Sequence, residues 1–327
     1  MVAACAADPT PQRAPEDPPS PLAPPSPPDP LFDDALGFEP LPPPSPGSWR
    51  SLVNEPGQSF ADYLATIPRR PDGERLYLLP LGEMGTAFVV DAEVTYIVRT
   101  PPPQAMATLL DAYFGVPTTI LPAAPLAALA EPERIRAGHE QYRAQHLLDA
   151  TASLVPEDAY SMTALMVQDV FFDDAQAFGF GFGEHRDGQA VVSFARIDPV
   201  VSGLAREPDV LERLPLRAFK LLVHEVGHTF GWAHCTAYRC VMNGIADLDE
   251  LDATPLHLCP ECLRKLLHVR DLDAAGRYAT LARIYADLGL AEPERWAEAR
   301  VQRLARSVTP PGSGPPPARA SPHRSPR

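Results

Sequence analysis

Proline decides where this chain can fold. Sixteen of its 41 prolines fall before residue 47, in runs such as PPSPLAPPSPPDP and LPPPSP, and seven more follow Ser307. Each proline fixes φ and removes an amide donor, so dense runs favour extended, solvated backbone over helix or sheet. Such segments also bury too little apolar surface to offset the entropy of ordering. The expected organisation is a disordered proline-rich arm over residues 1–47, a folded unit over 48–306 and a disordered Pro/Arg tail over 307–327. The middle stretch is within the size of a single domain.

The net charge is −14. An acidic body lacks the basic footprint that a phosphate backbone requires, so no nucleic-acid partner is expected. The sequence has no run of 18 apolar residues, so no transmembrane segment is expected. The opening MVAACAADPT lacks the basic flank and the apolar length of a signal peptide, which makes the cytoplasm the expected location. The stretch VAAC at residues 2–5 resembles a bacterial lipoprotein box. A lipid anchor on Cys5 is the alternative, and it requires a start upstream of Met1.

Within the folded stretch, GERLYLLPLGEM, AFVVDAEVTYIVR, YSMTALMVQDVFF and GQAVVSFARID read as strands, rich in aliphatic and aromatic residues and bounded by Pro and Gly. PPPQAMATLLDAYFG begins with the prolines that favour a first helical turn. The spacing of Ile135, Tyr142, Leu147 and Leu148 predicts a helix over PERIRAGHEQYRAQHLLDATASL. LRAFKLLVHEVGHTFGWAH reads as a strong helix ended by glycine, and two further helices close the chain. FGFGFG at 178–183 lacks both the G-x-G-x-x-G spacing and a following Lys-Ser/Thr. It is expected to be a flexible turn leading into a strand.

The chemistry concentrates in HEVGHTFGWAH, residues 224–234. Residues four apart share a helix face, so His224 and His228 can aim imidazole nitrogens at one ion. Glu225 lies about 100° round the helix from His224, beside that ion and placed to take a proton from its water. Gly231 permits the chain to leave the helix and His234 to supply a third nitrogen. Three neutral nitrogens leave one tetrahedral position open, the mark of a catalytic zinc site. His139-Glu140 has Arg143 at the position of a second ligand and reads as a solvated helix face. His146, His185, His257, His268 and His323 read as surface or core residues.

Apart from Cys5, every cysteine lies in a 28-residue window: Cys235, Cys240, Cys259 and Cys262. Four thiolates can close a tetrahedral structural zinc site, and two disulfides are the competing arrangement. A reducing compartment favours the metal. Two zinc ions per chain are expected.

The segment HEVGHTFGWAHCTAYRCVM…CPEC, with LYLLPLGE, VVSFAR, VMNG and LCPECLRKL, resembles the archaemetzincins, metzincin-related zinc metallopeptidases. The resemblance runs from about Leu76 to Leu288. It implies that His224, His228 and His234 bind the catalytic zinc and that Glu225 is the general base acting on a zinc-bound water. It also implies that Cys235, Cys240, Cys259 and Cys262 bind a second zinc, and that Met242 is the methionine of the turn beneath the first. The implied fold is an α+β metzincin-like domain with a twisted mixed sheet, a zinc-binding helix and a small C-terminal lobe carrying the second zinc. The implied substrate is a peptide or protein, paired to an edge strand for which AVVSFAR is the candidate. Tyr238 is a candidate hydrogen-bond donor to the oxyanion. The chain is expected to be a monomer. The alternative function is a zinc-stabilised peptide-binding protein with little or no catalysis, against which the intact Glu225 speaks.

Overall fold

A computed structural model of the chain describes residues 31–32, 37–66, 73–84, 87–91, 94–98, 100–205 and 208–308. Most of both expected arms, with Cys5 and His323, lies outside the described residues.

Two short helices come first, α1 (Trp49–Leu52) and α2 (Phe60–Thr66). They precede β1 (Arg75–Pro80), a hairpin of β2 (Ala87–Asp91) and β3 (Val94–Val98), α3 (Pro103–Phe114) and β4 (Thr118–Ile120). Then come β5 (Arg134–Arg136), β6 (His139–Arg143), α4 (Ala144–Thr151), β7 (Ala159–Met166), β8 (Asp169–Phe171), β9 (Gly181–Glu184) and β10 (Gln189–Ser193). The long helix α5 (Val210–Thr229) leads into the C-terminal lobe, with α6 (Leu248–Ala253), α7 (Pro260–Val269), α8 (Ala274–Asp287) and α9 (Ala291–Val308).

The central sheet has the order β4-β1-β7-β10-β9. Its pairings are parallel except for β9, which runs antiparallel to β10. Side chains alternate across a strand, and here both faces are buried. On β1, Leu76 and Leu78 enter one core while Tyr77 and Leu79 enter the other. On β10, Val192 and Val191 divide in the same way. The first core holds α3, α5 and the C-terminal lobe; the second is closed by Leu147 and Leu148 of α4. The fold is α+β, a twisted mixed sheet carrying one long helix and a small C-terminal lobe.

Three expectations change. The segment expected as one helix from residue 132 is a β5–β6 hairpin before α4 begins. Its turn places Ala137 at φ 52° and Gly138 at φ 81°, left-handed angles that no α-helix contains. His139 is therefore not on a solvated helix face but on a strand, and it is buried. AVVSFAR is not an edge: β10 is flanked by β7 and β9, and the edge belongs to β9, which starts inside FGFGFG. Finally, packing begins ahead of Ser48. Pro40 bridges to Tyr238, the Leu41 amide donates to Ala237 O at 2.9 Å, and Phe38 is only 4% exposed. Phe38 sits against the Trp296 ring and under the Arg300 guanidinium, an apolar anchor that proline content does not reveal.

Candidate active site

The last two turns of α5 carry His224, Glu225 and His228. Gly231, at φ 82°, turns the chain out of the helix, and three residues later His234 faces back. One ligand atom from each of the three histidines lies within 4.8 Å of the others. The Nε2 atoms of His224 and His228 are 3.0 Å apart.

The opposite ring nitrogens explain the convergence. Nδ1 of His224 donates to Val241 O at 2.8 Å, and Nδ1 of His228 donates to Trp232 O at 2.7 Å. Nδ1 of His234 donates to the Glu55 carboxylate at 2.7 Å. Each acceptor fixes the Nδ1–H tautomer and leaves an Nε2 lone pair aimed at the shared centre. Two lone pairs 3.0 Å apart repel unless a cation lies between them. Burial pushes the imidazolium forms down, His224 well below the usual range and His228 to about 3, with the neighbouring imidazoles adding to the effect. The donor set therefore suits a metal ion: three neutral nitrogens held against protonation.

Glu225 is 5% exposed, and burial raises its carboxyl to about 8. β9 passes directly over it. A Cβ on Gly181 would fall 2.6 Å from Glu225 Oε1, and one on Gly183 would fall 2.5 Å from Glu225 O and 2.7 Å from His228 Cβ. Only glycine lets strand and helix approach this closely, so the alternation in FGFGFG is a packing requirement of the site. A cleft of ≈ 770 Å³ opens here, with the histidines and Glu225 at its base and Trp49, Leu52, Phe178 and Phe182 among its walls. Met242 is fully buried beneath α5; a Cβ on Gly227 would come 2.5 Å from its sulfur. Tyr238 packs on the core beside the loop instead of lining the cleft.

The second cluster lies just beyond. Cys235, Cys240, Cys259 and Cys262 are buried free thiols with sulfurs within 4.8 Å of one another. Cys235 Sγ and Cys259 Sγ are 3.6 Å apart, so they are not bonded. Backbone amides already serve two sulfurs: Cys259 N donates to Cys240 Sγ at 3.3 Å, and Cys262 N to Cys259 Sγ at 3.5 Å. The Cys235 thiol is held far below its ordinary range, chiefly by the Cys240 hydrogen bond, while burial pushes Cys240 up. Four thiols around one point could hold a divalent metal. Asn243 ties the intervening loop, reaching Cys235 O at 2.7 Å and Tyr238 O at 2.9 Å and accepting from Cys240 N at 2.9 Å.

Sequence reasoning named the histidines, Glu225, Met242 and the cysteines, and the structure brings the three histidines together and the four cysteines together. It missed Glu55, Trp49, Asn243 and the roles of Gly181 and Gly183. Of these, only the Gly/Phe alternation left a local signal.

A histidine triad opened by a helical H-E-x-x-H, with a buried carboxyl beside it in a cleft, is the construction of a zinc metallopeptidase. Comparison with known proteins agrees. The family model "Peptidase family M54" matches residues 122–268. The chain is 31% identical to the archaemetzincin of Pyrococcus furiosus over 154 residues, covering 47% of this chain and 77% of that protein. It is 28% identical to archaemetzincin-2 of Macaca fascicularis over 274 residues, covering 75% and 74%. A solved archaemetzincin from Methanopyrus kandleri is 24% identical and covers 62% of this chain and 97% of its own, with a TM-score of 0.42. The chain belongs to the archaemetzincin family of zinc metallopeptidases. Among the described residues no helix is long and apolar enough to cross a membrane.

Proposed function

We propose that the chain hydrolyses peptide bonds with zinc held by His224, His228 and His234 and with Glu225 as the general base. The observation that carries this reading is the convergence of three tautomer-fixed imidazoles beside one buried carboxyl in the same cleft. Bound there, zinc supplies Lewis acidity, polarising the scissile carbonyl and acidifying the water that attacks it.

The chain's own residues position and move the proton. Glu225 sits in a site whose burial already favours its protonated form, so once it has taken a proton from water it holds it readily. It then gives that proton to the leaving amine. The free edge of β9 offers backbone amide and carbonyl groups to an extended peptide, placing the scissile bond over Glu225. The four thiols hold a second zinc with a structural role, giving two per chain. We place this peptidase in the cytoplasm as a monomer, where reduced thiols persist.

Glu225→Gln tests the assignment, since it keeps the shape and removes the base. Zinc content and melting temperature should stay at wild-type values while kcat falls by at least about 10²-fold. Cleavage of a peptide library near the wild-type rate, followed by mass spectrometry, would remove Glu225 from the mechanism.

A further inference from the structure

Residues 49–58 lie before the stretch matched by the family model, yet they fold onto the loop that delivers His234. One Glu55 oxygen accepts from His234 Nδ1 at 2.7 Å and from Trp49 Nε1 at 3.1 Å. The Trp49 ring stands edge-on to the His234 imidazole, with centroids 5.1 Å apart. Gln58 holds the same loop from its other end, donating to Gly231 O at 3.2 Å and accepting from Ala233 N at 3.1 Å. The segment is itself pinned. Trp49 N donates to the Glu250 carboxylate at 2.9 Å, and Lys265 Nζ donates to Gln58 O at 2.7 Å and to Gln58 Oε1 at 2.9 Å.

The three histidines are not held alike. His224 and His228 ride on α5 and donate to backbone carbonyls. His234 follows the helix on irregular backbone, and its Nδ1 partner is a side chain 179 residues away in sequence. Without an acceptor for Nδ1–H, the ring would lose what favours the tautomer that leaves Nε2 unprotonated. We propose that Glu55 is the positioning residue of the third metal ligand, and that Trp49–Gln58 is a clasp fixing the tautomer and plane of His234. The proposal rests on the reading of His234 as a ligand. Without the clasp, an ion would be held firmly by the nitrogens of His224 and His228 and only intermittently by that of His234.

The test compares Glu55→Ala, Glu55→Gln and His234→Ala. Zinc is titrated with a competing chelator, and a His228→Ala protein identifies the ion held by histidine. In Glu55→Ala the affinity of that ion should fall about 10- to 100-fold. Glu55→Gln, which still accepts a hydrogen bond, should fall less. In zinc-free protein, ring-nitrogen NMR should show His234 shifting from the Nδ1–H to the Nε2–H tautomer in Glu55→Ala, with His224 and His228 unchanged. A structural role alone would not produce that selective shift. If His234→Ala loses the ion while Glu55→Ala binds it within twofold of wild type, Glu55 does not position the ligand. If His234→Ala also keeps the ion at wild-type affinity, the ligand assignment itself fails. Should Glu55→Ala not fold, Glu55→Met decides, since it keeps the length of the side chain and has no acceptor for His234 Nδ1: unchanged affinity together with an unchanged His234 tautomer overturns the proposal.

Discussion

Gly181 shows how much a single missing methyl can matter. β9 and α5 meet where a Cβ would lie 2.5 Å from Glu225 Cγ and 2.6 Å from its Oε1, well inside van der Waals contact. The clash falls on the end of a side chain, so Gly181→Ala should displace the carboxyl and leave the helix in place. The expected result is a drop in kcat of about tenfold or more, because misplacement on the ångström scale costs orders of magnitude. Zinc content should not change. A kcat within twofold of wild type would show that β9 yields instead of Glu225. Gly183 differs in kind: its Cβ would meet Glu225 O and His228 Cβ, parts of the helix that cannot swing aside. Charge follows the same local logic. Burial alone takes Glu225 to about 8, and a divalent ion on the adjacent imidazoles would act in the opposite direction, favouring the carboxylate. The proposed metal and base would therefore depend on one another.

Among the elements, α5 and the loop after it were legible because their signals are local. A 3.6-residue period, a glycine where the helix ends and metal-ligand spacing all lie within a few turns of chain. The β5–β6 hairpin was not legible, because Ile135 and Tyr142 lie seven residues apart, a helical interval, while Ala137-Gly138 reverses the chain. Edge position was not legible either, since β9 becomes an edge only when the order β4-β1-β7-β10-β9 is assembled from strands far apart. The loop between α5 and α6 has neither helix nor strand, and the thiols and Asn243 hold it. Cys259 also caps α7, its sulfur accepting from Cys262 N. Cys259→Ser should remove one zinc per chain and lower the melting temperature by about 10 °C, the scale set by losing a metal whose binding energy is local folding energy. Metal analysis and calorimetry check this; unchanged stoichiometry and stability would exclude the second ion. Activity should fall too, since Cys235 directly follows His234.

At the scale of the whole molecule, segments from opposite ends of the described residues meet. Arg300 of α9 donates to Leu31 O at 2.6 Å, its guanidinium lies 4.5 Å from the centre of the Phe38 ring, and Trp296 stacks on His257 at 3.8 Å. Burying Phe38 contributes about 2–3 kcal/mol to that junction. The segment from Phe38 leads straight into Trp49 and Glu55, so α9 anchors the approach to His234 from the far end of the sequence. Contacts 269 residues apart form late, because the closure entropy of the intervening chain must be overcome first. The consequence lies in the order of synthesis. A ribosome releases His234 before it releases α9, so an incomplete chain carries the proposed ligands without the anchor that steadies them. Ribosome-stalled chains ending at Leu290 should bind the histidine-held zinc weakly and cleave little, and both properties should rise together once Arg300 clears the exit tunnel. Full cleavage by the shorter chains would show that the anchor is dispensable. If the dependence holds, this peptidase stays inert on the ribosome until Arg300 is free to pack.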